Sequence, residues 1–91
     1  MSTSISIPTP LRTYAGGERQ VSVQAETVGG ALTELATRHG QLRRHLYAEN
    51  GELRRFVNVY LNDSNVRDLE GVETPLRPGD TLTIVPSIAG G

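Results

Sequence analysis

Four stretches of this chain alternate apolar and polar side chains with a period of two. Ile5 and Ile7 share one face of residues 3–9, and Val21 and Val23 share one face of residues 19–25. Val57, Val59 and Leu61 do the same in residues 55–62, and Leu82 and Ile84 in residues 81–85. A period of two is the side-chain repeat of a β-strand with one buried face. Pro8 and Pro10 close the first strand or set it near an edge. Tyr14-Ala15-Gly16-Gly17 reads as a turn, so the first two strands are expected to form a hairpin. Between the second and third strands the period changes. Thr27 is suited to cap a helix, and Val28, Ala31, Leu32, Leu35 and Ala36 follow at helical spacing. Gly40, a residue suited to the left-handed cap, is expected to stop that helix. Gly29 and Gly30 in its first turn lower helix propensity by up to about 1 kcal/mol each, so they are expected to serve close backbone packing. Their spacing is too short for a phosphate-binding loop.

Residues 41–54 are charged and irregular, with a short helical turn predicted around Leu42–Tyr47 and a chain reversal at Asn50-Gly51. Asn62-Asp63-Ser64-Asn65 predicts a turn, Val66–Leu69 a short strand, and Pro75–Asp80 a second turn. The element order is strand, strand, helix, strand, short strand, strand. It predicts an α+β fold, a mixed sheet of four to five strands with one main helix on one face. A sheet covered on one side only should alternate, as these strands do. Pro86 ends the last strand, dividing the chain into a body of residues 1–86 and a flexible tail of residues 87–91.

If Val57, Val59, Leu61, Leu82 and Ile84 face the helix, then Phe56, Tyr60 and Val85 lie on the uncovered face. Phe56 is the only phenylalanine and Tyr60 one of three tyrosines. Exposed aromatics close together suggest a protein interface, and this one leads into the tail. The tail runs Ser87-Ile88-Ala89-Gly90-Gly91. With glycine at about 7% of average usage, a closing pair arises by chance in about one chain in two hundred. Lacking Cβ atoms, Gly90 and Gly91 can enter a channel too narrow for other residues and present one carboxylate at its end. Six residues from Pro86 to Gly91 reach about 20 Å when extended. A partner could therefore hold the sheet and receive the carboxylate some distance away.

Composition narrows the alternatives. Ninety-one residues make one small domain with a modest core. The absence of cysteine excludes a disulfide framework, a thiol nucleophile and a thiolate metal site. Two histidines are too few for a histidine metal site. No apolar run approaches a membrane span, and no basic-then-apolar leader opens the chain, so the cytoplasm is expected. A net charge of −1 argues against nucleic acid as the main partner. All nine basic residues are arginine. Genomic bias explains this, yet it also leaves no lysine amine to which a second activated copy could be joined. Asp63, Asp68, Glu70 and Glu73 read as solvated turn residues, and no triad or paired-carboxylate constellation stands out.

Four segments carry a resemblance to a known family. They are Ile5-Ser6-Ile7-Pro8-Thr9; Arg55-Phe56-Val57-Asn58-Val59-Tyr60-Leu61-Asn62-Asp63; Asn65-Val66-Arg67; and Pro78-Gly79-Asp80 leading through Ile84-Val85-Pro86 to Ala89-Gly90-Gly91. Across essentially its whole length the chain resembles the ubiquitin-like, β-grasp sulfur carriers of the ThiS/MoaD type, closest to their cysteine-biosynthesis branch. The resemblance implies a co-substrate rather than an enzyme, a monomer when free, with no cofactor permanently bound. An E1-like adenylating enzyme would use ATP-Mg to convert the Gly91 carboxylate to an acyl-adenylate. A sulfide equivalent would displace AMP and leave a thiocarboxylate. In the cysteine branch that sulfur attacks an aminoacrylate held by a PLP-dependent cysteine synthase acting on O-phosphoserine, and a JAMM-type metalloprotease releases cysteine. Gly91 and Gly90 would carry the chemistry, and Phe56, Tyr60, Val85, Ile88 and Ala89 would meet the partners. Molybdopterin, thiamin and tRNA thiolation, attachment to other proteins as a ubiquitin-like modifier, and a purely structural β-grasp domain remain as alternatives.

Overall fold

The computed structural model of the chain describes residues 2–54 and 57–86. Five strands form one mixed sheet in the order β2-β1-β5-β3-β4. They are β1 (Thr3–Ser6), β2 (Gln20–Val23), β3 (Val57–Leu61), β4 (Ser64–Asn65) and β5 (Thr81–Pro86). β1 and β5 run parallel at the centre, while β2 and β3 flank them antiparallel. Helix α1 (Val28–Arg38) crosses one face, as the α+β reading expects. Its stripe of Val28, Ala31, Leu32, Leu35 and Ala36 is buried against Ile5, Val21, Val23, Val57, Val59, Leu82 and Ile84 from the sheet. Every one of these is an inward position read from the alternation. Full burial of such an aliphatic side chain contributes on the order of 1.5–3 kcal/mol, so this layer supplies most of the stabilisation.

The helix starts where the sequence places it. The Thr27 hydroxyl accepts from the Gly30 amide at 3.1 Å. Gly29 also plays the packing role expected of it. A Cβ there would lie 3.1 Å from the Val72 carbonyl oxygen and 3.2 Å from the Val72 Cβ, so the β4–β5 connection rests directly on the helix backbone.

The helix ends differently. His39, at φ −124° and ψ 81°, breaks its path, and Gly40 is the first residue of a second helix, α2 (Gly40–Leu46), rather than a left-handed cap. Leu42 and Leu46, four residues apart, are both buried, which draws this charged segment into the core. The first hairpin is also more elaborate than a turn. Residues Thr9–Ala15 form a 3₁₀ helix that buries Leu11 and Ala15 and closes at Gly16 with φ +67°. Its Tyr14 stacks on His45 of α2, ring centroids 4.1 Å apart. The expected strand at Val66–Leu69 lies earlier and is shorter. Ser64–Asn65 form β4, and Val66–Asp68 turn into a 3₁₀ helix because the Asn65 side chain accepts from the Arg67 amide at 2.9 Å.

Candidate functional site

β5 is the central strand, and it delivers the tail. Its last residue, Pro86, faces Val57, the first residue of β3, and Val85 faces Asn58. The tail therefore starts from the middle of the sheet, at the end shared by the close of β1 and the start of β3. Ile88, Ala89, Gly90 and Gly91 lie outside the described residues, as does Phe56.

An arginine fixes the β3 side of that root. The Arg67 guanidinium donates to the Asn58 side-chain oxygen at 3.1 Å, to the Val57 carbonyl at 3.1 Å and to the Arg54 carbonyl at 3.3 Å. These bonds hold the two residues that face Pro86 and Val85. The spacing of apolar residues carries no trace of this clamp; only the Asn65-Val66-Arg67 segment of the family resemblance touches it. On the other side, Arg12 Nε donates to the Ile7 carbonyl at 3.0 Å. Arg12, Pro8 and Pro10 line a groove together with Val85 and Pro86.

The uncovered face is read from the register. Residues directly opposite one another share a face. Asn58 with Val85 and Tyr60 with Thr83 thus put Tyr60 and Val85 on the same outer surface as diagonal neighbours. Val85 is 42% exposed, and Tyr60 is half-buried. The same register adds Ser4 and Ser6 from β1, Gln20 and Ser22 from β2, and Thr81 and Thr83 from β5. The strand residues of this face are hydroxyls and amides around one small apolar step, and none is charged. Such a surface can be covered by a partner without desolvating an ion.

A cleft of about 510 Å³ opens on the other side of the sheet, between Gly29, Val57, Val59, Val66 and Val72. Its walls are mainly the flank of the core. Among the described residues, no group of three or more His, Asp or Glu could hold a metal ion. No helix among them is long and apolar enough to cross a membrane.

Comparison with known proteins adds three findings. Residues 5–91 match the model of the ThiS family. The chain is 39% identical over 93 residues to the sulfur carrier protein CysO of Mycobacterium tuberculosis, with all of both chains covered. Its fold superposes with a TM-score of 0.87 on a chain of the Amycolatopsis orientalis BexX/CysO complex, 44% identical, covering 98% of this chain and 99% of that one. An equal TM-score of 0.87 relates it to small archaeal modifier protein 1 of Haloferax volcanii, 29% identical and covered end to end.

Proposed function

The chain belongs to the ThiS family, and we propose that it is a sulfur carrier whose C-terminal Gly91 is adenylated and converted to a thiocarboxylate, serving cysteine biosynthesis from O-phosphoserine. The observation that supports this most directly is the full-length likeness to CysO sulfur carriers, at 39% and 44% identity, running through the diglycine. In this reading the protein is a co-substrate. A carboxylate is a poor electrophile because its charge repels nucleophiles. One Gly91 oxygen attacks the α-phosphorus of ATP and pyrophosphate leaves. A sulfide equivalent then adds to the acyl carbon, AMP departs with the bonding electrons, and the terminal C–O bond has become C–S.

The partners supply the catalytic groups: an E1-like adenylating enzyme with ATP-Mg, a PLP-dependent cysteine synthase, and a JAMM-type metalloprotease that frees the product. The body supplies the docking surface, with Tyr60 and Val85 beside the tail root and Phe56, Ile88 and Ala89 continuing it. A chain without cysteine has no thiol to compete with its own terminus. ATP-dependent activation would support a cytoplasmic location, where ATP is available.

Intact-protein mass spectrometry tests the reading. Incubation with the adenylating enzyme, ATP and a sulfur donor should exchange one terminal oxygen for sulfur. An unchanged mass alongside a demonstrably active enzyme counts decisively against it. The likeness to a small archaeal modifier protein favours one second reading, in which Gly91 is joined to a lysine of another protein. Immunoblots of cell extract would then show a conjugate ladder that vanishes when Gly90 and Gly91 are deleted.

A further inference from the structure

The net charge of −1 conceals a separation of charge along the sheet. Strand directions define two poles. The tail pole holds the close of β1, the start of β2, the start of β3 and the end of β5. Six described arginines sit there: Arg12 and Arg19 in and after the 3₁₀ helix, Arg43 and Arg44 on α2, and Arg54 and Arg67 at the start of β3. Three of them, Arg44, Arg54 and Arg67, are linked through backbone carbonyls. Arg54 Nε donates to the Arg44 carbonyl at 2.8 Å, and Arg67 donates to the Arg54 carbonyl and to Val57, the residue facing Pro86. Arg12 shares a groove with Pro86 on the opposite flank, and the Arg19 carbonyl accepts from the Ile7 amide beside it.

Among the described residues four carboxylates belong to that pole, Glu18, Glu49, Glu52 and Asp68, the last beside Arg67 in its 3₁₀ helix, and two of them have local contacts. Glu18 lies 3.7 Å from His39, and Glu52 accepts from the Asn50 side chain. Arg12, Arg19, Arg43, Arg44 and Arg67 have no carboxylate partner among the described residues. Arg38 pairs with Glu34 along α1. The remaining carboxylates, Glu26, Asp63, Glu70, Glu73 and Asp80, run from the β4 edge to the far pole, which has Arg77 as its single arginine among the described residues. The body measures 33 × 28 × 23 Å, and the screening length at physiological salt is about 8 Å. A partner at one pole therefore meets the local charge of that pole and not the sum.

We infer that the tail pole is an arginine-rich docking surface for a partner whose tail-receiving channel is rimmed with carboxylates. This rests on the reading that a partner receives the tail, and it names the chemistry of that partner's entrance. These arginines lie on both sides of Pro86, where the chain leaves the sheet, so attraction at the rim brings the thread to the channel mouth and sets its orientation. The uncharged sheet face then closes against the partner without burying an ion. Rim charges of this kind act on association rate more than on lifetime. A polyanionic nucleic acid would see the same arginines, but the carboxylates interleaved with them favour a protein surface of mixed composition.

The test measures association of the full chain with an immobilised E1-like adenylating enzyme from the same organism, over a range of salt concentrations. Arg19, Arg43 and Arg44 are exposed and their side chains make no hydrogen bond in the structure, so an Arg19→Glu/Arg43→Glu/Arg44→Glu variant should keep its fold and its melting temperature. Its association rate should fall by about tenfold at low salt and converge on wild type at high salt. A Glu70→Arg/Glu73→Arg variant at the far side should stay within about twofold of wild type. Equal rates for the triple variant and wild type at low salt overturn the proposal, as does equal slowing by both reversals. Retention on heparin that the triple variant loses, with enzyme association unchanged, overturns it in favour of nucleic acid. Thiocarboxylate formation is read separately. Product formed with salt-independent association fails the docking proposal alone, and salt-dependent association without product fails the sulfur-carrier reading alone.

Discussion

The two faces of the sheet are built from the same strands, residue by alternate residue, and are chemically opposite. The face under α1 is aliphatic and closed; Ile5, Val23, Val59, Leu82 and Ile84 are at most 1% exposed. The other face is Ser, Thr, Asn and Gln around Tyr60 and Val85, and it stays open. A 91-residue chain has little core to spare, so it commits one face wholly to stability and keeps the other free. Substitutions on the two faces should therefore separate into those that unfold the molecule and those that unseat a partner.

The largest effect belongs to the closed face. Leu32→Ala, at a position with no exposure, should cost about 2–5 kcal/mol in urea denaturation while the folded fraction still becomes thiocarboxylated. A loss under about 1 kcal/mol would show that the interior is looser than its burial implies. Next comes the open face. Tyr60→Ser with Val85→Ser should raise KM for the adenylating enzyme about tenfold at unchanged kcat, equivalent to about 1.4 kcal/mol of docking, and should shift stability less than Leu32→Ala does. Matched losses in stability and docking would mean that the two faces are not separable. The smallest effect tests the frame that holds the faces together. Thr27→Ala removes the α1 cap and should cost about 1 kcal/mol by thermal melt, with no change in KM.

The strands and α1 were legible because a single period dominates each of them. Val57 and Val59 or Leu32 and Leu35 have no other reading once the strand or helix period is chosen. The connections were harder because their structure depends on partners distant in sequence. Leu42 and Leu46 stand four apart among arginines, and only docking against α1 and the first 3₁₀ helix turns the predicted helical turn into α2. The 3₁₀ segment at Thr9–Ala15 follows Pro8 and holds Pro10 in its first turn, a composition that reads as strand termination. Val66–Leu69 reads as a short strand, but the Asn65 side chain captures the backbone and Val66–Asp68 form a 3₁₀ helix. The outer placement of Tyr60 and Val85 followed directly from the alternation, whereas the Arg67 clamp did not. A guanidinium reaching three carbonyl-type oxygens on two segments leaves no period in the sequence.

Pro86 turns the sheet into the zero mark of a ruler. Because it sits in register with Val57, the span available to whatever follows is counted from a fixed point, at no more than about 3.6 Å for each added residue. In the proposed reading, one extra glycine before Gly91 would carry the reacting atom up to that much further and disturb nothing upstream. A partner that receives this end of the chain, as proposed, gauges its depth from Pro86.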